Sequence, residues 1–177
     1  MQMKSRELQK IRNRLKNCLK DKKIYDIILF GSFIKGKINP SDIDLAFITN
    51  EKLNIDIEGF HISFLKPEDF FINPPSLINT LLREGYSIKK NKRFSEVYNF
   101  SNKSLFIYEL KQLSPSLKVK IVNLLRGNKK EKGLVKDRGG EWLANQVFIV
   151  PVEQEDIFQK IFQNYKVKYK KFYILMH

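Results

Sequence analysis

The residues best placed to do chemistry lie in one stretch near the start of the chain. Leu29-Phe30-Gly31-Ser32-Phe33-Ile34-Lys35-Gly36 is followed by Ser41-Asp42-Ile43-Asp44-Leu45. The order is an apolar run, a Gly-Ser turn, a second glycine and then an acid-x-acid start to another apolar run. Each part has a physical job. Gly31 lets the backbone turn sharply and approach a phosphate without a Cβ in the way. Ser32 offers a hydroxyl and an amide to phosphate oxygens, and a short helix starting there would aim free N–H groups at the same anion. On a strand, Asp42 and Asp44 share a face, because side chains alternate with period two. Two carboxylates on one face repel each other unless a cation sits between them. Mg²⁺ suits the place, since it prefers hard oxygen ligands and shares them with substrate phosphates. A plain turn followed by a solvated strand edge is the competing reading. Against it, Ile43, Leu45 and Phe47 bury one face of the strand, and Ala46 and Ile48 continue the aspartate face with apolar residues. Two acids heading such a strand are costly without a partner.

Gly31-Ser32, then Gly36, then Ser41-Asp42-Ile43-Asp44 resembles the DNA polymerase β-type nucleotidyltransferase superfamily, especially its minimal members. The resemblance spans residues 24–70 firmly and 1–110 loosely, and leaves out 111–177. It implies transfer of a nucleoside monophosphate from an NTP or dNTP with Mg²⁺ or Mn²⁺ as cofactor. Asp42 and Asp44 are then the metal ligands. Gly31, Ser32, Lys35 and Ser41 are the nucleotide-binding residues, with Lys37 an alternative to Lys35. The family also carries a third acid on a neighbouring strand. Here that strand reads Phe60-His61-Ile62-Ser63-Phe64-Leu65, and His61 stands where the acid is expected. Three outcomes stay open. His61 acts as base or metal ligand; or Asp56 or Glu58 supplies the carboxylate, if Gly59 marks a bulge that resets the register; or the third group is absent and the site is weak or inactive.

The elements that must position these residues follow from periodicity. Leu8, Ile11, Leu15 and Leu19 predict an amphipathic helix over 4–23. Residues 24–30 form a buried strand ending at Gly31, 42–49 the next strand, and 55–66 contain a third. Pro67-Glu68-Asp69 reads as a helix start, and residues 75–84 as a helix capped by Gly85. Residues 104–110 read as a strand. After it come a helix from Ser114 to Gly127, a charged loop over 128–140, a strand over 146–152, a helix over 153–164 and a strand over 166–175. The fold class is α+β: a small mixed sheet flanked by helices over 1–110, then a small basic α+β module over 111–177.

Charge supplies the second functional clue. The chain of 177 residues carries 33 Lys+Arg against 19 Asp+Glu, a net charge of +14. Residues 111–177 hold 14 basic and 6 acidic side chains, so the shorter part is the more basic. Such a field favours a polyanion, and RNA or DNA is the expected partner. Lys129, Lys130, Lys132, Lys136 and Arg138, with Lys168, Lys170 and Lys171 among Tyr169, Phe172 and Tyr173, are the candidate contacts. Trp142 serves either as a core anchor or as a stacking platform. A solvated lysine face over a packed aromatic core is the alternative for the whole module. Two further readings remain: a catalytically degenerate member of the fold that binds nucleic acid, and a transferase that nucleotidylates a protein partner. Cys18 alone cannot make an intrachain disulfide. No run approaches the roughly 20 apolar residues of a membrane span, and no signal peptide is visible. A cytoplasmic location and no membrane partner are therefore expected.

Overall fold

A computed structural model describes residues 5–34, 42–128 and 131–177. The chain divides into two compact units between Phe100 and Ser101.

In the first unit the predicted N-terminal helix forms as α1 (Ser5–Arg14) and α2 (Lys16–Lys20), with Leu15 between them. The break is slight, since Leu15 N donates to Ile11 O at 3.0 Å and Leu19 N to Leu15 O at 2.8 Å. Ile11 and Leu15 are buried, as their spacing requires. Cys18 is half-buried beside them, and burial pushes its thiol pKa up. The strands are β1 (Ile24–Phe30), β2 (Ile43–Thr49), β3 (Phe60–Leu65), β4 (Tyr86–Ser87) and β5 (Lys92–Arg93). They form one mixed sheet in the order β3-β2-β1-β4-β5. β2 pairs antiparallel with β1 and parallel with β3.

Two cores lie on the two faces of this sheet. Ile27, Leu29, Leu45 and Phe47 pack with Ile11 and Leu15 of the N-terminal helices. Ile28, Ala46, Ile48 and Leu65 pack with Ile78 and Leu81 of α3 (Ser76–Glu84) and Phe94 of α4 (Phe94–Val97). Burial on both faces explains why the two central strands read as nearly continuous apolar runs. Pro67–Phe70 forms a single 3₁₀ turn. Gly85 ends α3 with ordinary extended angles rather than the left-handed cap that its type suggests; it is needed because a Cβ there would lie 2.4 Å from Leu81 O and 2.7 Å from Ile28 Cγ2.

The strand expected over 104–110, which the sequence places in the first part, belongs to the second. As β6 (Ser101–Glu109) it pairs with β8 (Val147–Pro151) and β9 (Lys168–Met176). Its alternation is the physical reason: Ser104, Phe106 and Tyr108 are buried on one face. There Phe106 and Tyr108 meet Ile121 and Leu125 of α5 (Pro115–Arg126) and Phe158 and Phe162 of α7 (Glu155–Asn164). The four-stranded antiparallel sheet runs β7-β8-β6-β9, with β7 at Glu141–Ala144. Apart from a short extra helix before β7, the order strand, helix, two strands, helix, strand is the split β-α-β arrangement of ferredoxin-like folds. The helix predicted from Ser114 forms, with Leu117 N donating to Ser114 Oγ at 3.5 Å and Gly127 at φ +83° ending it. The expected charged loop over 128–140 instead contains α6 (Leu134–Asp137), anchored by the fully buried Val135. Among the described residues no helix is long and apolar enough to cross a membrane.

Candidate functional site

Chain direction brings three segments to one end of the first sheet. β1 exits into the Gly31 turn where β2 and its parallel neighbour β3 begin. Phe30 opposes Asp44, and Asp44 opposes His61. Gly31 has φ +78°, and a Cβ built on it would lie 2.2 Å from Asp44 Oδ2. The carboxylate of Asp44 therefore rests against the turn, in space that only glycine leaves open. Its other oxygen, Oδ1, is 3.3 Å from His61 Nδ1. The Asp44 side chain is 29% exposed and that of His61 71% exposed, so the pair borders solvent. When Nδ1 carries the ring proton it donates to Asp44, and Nε2 is left as the basic nitrogen.

Asp42 is exposed, one residue ahead of β2. Gly31, Ser32 and Phe33 are half-buried in a turn that runs over 31–34. No helix begins at Ser32 within the described residues. Lys35, Lys37 and Ser41, also expected at the nucleotide, lie outside the described residues. Asp56 and Glu58 stand on the extended connection before β3, both exposed, while Leu53, Ile55 and Ile57 turn into the core. Gly59 does have a positive φ, +74°, but its turn precedes β3 and leaves His61 as the side chain opposite Asp44.

Among the described residues no three His, Cys, Asp or Glu side chains gather as a metal-holding group. The donor set still fits one kind of cation. Mg²⁺ is commonly held by one or two carboxylates, with substrate phosphates and water completing the shell, and Asp42 and Asp44 offer that much. An imidazole in the third place does not add the hard oxygen that Mg²⁺ prefers.

A further carboxylate, Asp26 on β1, is buried away from this site. Asp26 is 6% exposed and accepts from Ser87 Oγ, at 2.8 Å to one oxygen and 2.7 Å to the other, and from Ile27 N at 2.8 Å. Burial raises its pKa more than these hydrogen bonds and Lys90 lower it. Lys89 donates to the carbonyls of Asp21 and Ile24, and burial pulls its pKa down. Asp26 and Ser87 thus tie β4 to β1. A cavity of about 490 Å³, lined in part by Thr49, Phe64 and Lys66, opens at the far ends of β2 and β3. Five residues of strand, about 16 Å, separate it from Asp44.

The basic residues of the second unit fall into different environments. Lys132 and Lys136 are exposed, as are Lys168 and Lys170 on the edge strand β9. Arg138 is exposed and 3.5 Å from Asp137. Lys171, expected at nucleic acid, is instead held inward. Its Nζ donates to Glu155 Oε1 at 3.0 Å and to Tyr173 Oη at 2.9 Å, and Tyr173 donates to the same Glu155 oxygen. Burial would lower the Lys171 pKa, but the bonds to Tyr173 and Glu155 outweigh it and raise it. The reason is strand parity, which turns Lys171 toward α7 with Tyr169, while Lys168 and Lys170 face solvent. Lys129 and Lys130 lie outside the described residues. Tyr169 packs on Phe106 and Phe162, whereas Phe172 and Tyr173 stay about half exposed.

Residues 13–94 match the family described as Polymerase beta, Nucleotidyltransferase. Neither curated proteins nor solved structures give a match. The matched stretch covers β1 to β5 with Asp42, Asp44 and His61, and ends before the second unit.

Proposed function

Residues 13–94 belong to the polymerase beta nucleotidyltransferase superfamily, and from that premise we propose that the chain transfers a nucleoside monophosphate from an NTP or dNTP to a nucleic-acid acceptor. The observation that carries the reading is the position of Asp44, one carboxylate oxygen against the Gly31 turn and the other 3.3 Å from His61. Gly31 and Ser32 hold the polyphosphate through backbone and hydroxyl donors. Asp42 and Asp44 face the triphosphate at the head of β2. Asp42 and Asp44 would hold Mg²⁺ or Mn²⁺ there, and the ion would supply charge neutralisation for the transferred phosphoryl group and the pyrophosphate that leaves. His61, oriented through Nδ1 by Asp44, uses Nε2 to take the proton from the acceptor hydroxyl. The +14 net charge supports a polyanionic acceptor over a protein.

The test is label transfer from each α-labelled NTP and dNTP to RNA and DNA oligomers, with Mg²⁺ or Mn²⁺. Transfer that disappears in Asp44→Ala and Asp42→Ala is the expected result. No transfer in any combination would overturn it. One observation favours a second reading, the imidazole where the family places a third carboxylate. A chain that had lost transfer would still bind oligonucleotide in a salt-sensitive way, and both aspartate variants would leave that binding unchanged.

A further inference from the structure

Arg126 closes α5, and its guanidinium carbon lies 3.9 Å from the centroid of the Trp142 ring on β7. Its Nη2 donates to Ala144 O and to Asn145 Oδ1, each at 3.4 Å. The guanidinium is thus spread on the indole and tied to the turn between β7 and β8, while Nη1 and Nε carry three further N–H groups. Trp142 is itself fixed from within, 5.2 Å from Phe148 and 6.4 Å from Tyr108, ring to ring. Arg126 and Trp142 wall a cavity of about 460 Å³ that Lys136, Gly140 and Glu141 complete. The wall at Gly140 is tight, since a Cβ there would lie 2.6 Å from both Ile149 O and Val150 Cγ1.

The chemistry of this lining selects its ligand. A planar cation backed by an aromatic ring offers a face on which a nucleobase stacks. Arg126 and Lys136 supply two positive charges against the single carboxylate of Glu141, which favours a phosphate. Glu141 accepts a hydrogen bond from an exocyclic amine or a ribose hydroxyl. The volume lies in the range of small-ligand sites. Lys132, exposed, adds a further cation near the cavity in sequence, while Arg138 is paired with Asp137 at 3.5 Å. We propose that this cavity binds one nucleotide unit of a single-stranded nucleic acid, the base on the Arg126–Trp142 stack and its phosphate between Arg126 and Lys136. The choice of a strand rests on the nucleic-acid acceptor reading; the choice of a nucleotide rests on the cavity alone.

Trp142 is the only tryptophan in the chain, so its fluorescence reports this cavity. The full chain is titrated with a short single-stranded oligonucleotide, with AMP and with inorganic phosphate, and anisotropy of a labelled oligonucleotide is followed in parallel. The expected result is quenching of Trp142 with the same midpoint as the anisotropy change. Lys136→Gln and Arg126→Gln each weaken both by roughly tenfold, while AMP and phosphate act only at far higher concentration. Circular dichroism confirms the fold of each variant, and the exposed Lys136 gives the readout that cannot be ascribed to misfolding. Oligonucleotide binding with unchanged Trp142 emission, or midpoints indifferent to both variants, overturns the site. Quenching by AMP as strong as by the oligonucleotide overturns the strand in favour of a free nucleotide. Asp44→Ala leaves the quench intact, so failure of transfer and failure of this cavity are separate outcomes.

Discussion

Replacing Gly31 by alanine tests whether the Asp44 carboxylate truly rests against the turn. Two costs are expected, and they can be separated. The first is conformational. Gly31 has φ +78°, and a residue with a Cβ there loses about 1–2 kcal/mol. The second is contact. The new Cβ would lie 2.2 Å from Asp44 Oδ2 and 3.1 Å from its Cγ, but 3.4 Å from its Cβ, which is ordinary packing. Asp44 must leave its rotamer and its contact with His61, or the backbone must shift, at a further cost of about 1–2 kcal/mol. In an Asp44→Ala background the carboxylate is gone and only the first cost remains. A double-mutant cycle should therefore give a coupling of about 1–2 kcal/mol between the positions. Denaturant unfolding by far-UV circular dichroism measures it. Trp142 fluorescence follows the second unit as an internal reference, because the tryptophan is on β7. Equal costs of Gly31→Ala in both backgrounds would refute the placement of Asp44, and the function built on it would go too.

Three further outcomes follow from the same contacts. His61→Asp puts a carboxylate opposite Asp44; Mn²⁺ should then bind about tenfold more tightly, equivalent to about 1.4 kcal/mol, and raise the melting temperature of the variant more than that of the parent, as calorimetry with and without metal would show. For Asp26, the folded pKa is raised by burial, so the folded state binds the proton more tightly than the unfolded one. Stability contributed by the protonated form is present at low pH and is lost as pH rises from the usual carboxylate pKa through the raised value. Asp26→Asn should flatten that part of the stability–pH curve and be relatively more stable than the parent above it, measured by thermal melts across pH. Glu155→Gln leaves the partly buried ammonium of Lys171, 3.0 Å away, without its counter-charge; unfolding of the second unit by Trp142 fluorescence should show a loss of about 2 kcal/mol.

How much was legible in the sequence depended on the range of the signal. β1 and β2 were readable because each is apolar on both faces, and the helix from Ser114 because its cap, Pro115 and Gly127 are local marks. β4 and β5 were not, since two residues apiece carry no period. α6 was hidden in a charged loop because only two adjacent residues, the buried Val135 and the partly buried Leu134, anchor it, too few to show a period. The unit boundary failed for a related reason: β6 alternates like any half-buried strand, and nothing local says which sheet it joins. Lys171 looked like its neighbours Lys168 and Lys170 until pairing with β6 set which side of the strand faces α7. The Arg126–Trp142 stack has no sequence mark at all, because it joins the end of α5 to a strand that follows a segment containing α6.

The placement of His61 shows what such long-range information adds. β1 and β2 are antiparallel neighbours, so a turn at the exit of β1 must lie beside the entry of β2. That much needs only the order of the chain. β3 is different. It runs parallel to β2, and parallel pairing requires a crossover between them, here residues 50–59, held by Leu53, Ile55 and Ile57 in the core beside the N-terminal helices. An antiparallel β3 would have carried His61 to the opposite end of β2 and left Asp44 facing no ionisable neighbour on that side. The parallel register puts the first outward-facing residue of β3 beside the aspartate. The side chain at position 61 therefore stands beside Asp44, within hydrogen-bond reach as histidine, and under the proposed function the chemistry of the site turns on that one side chain.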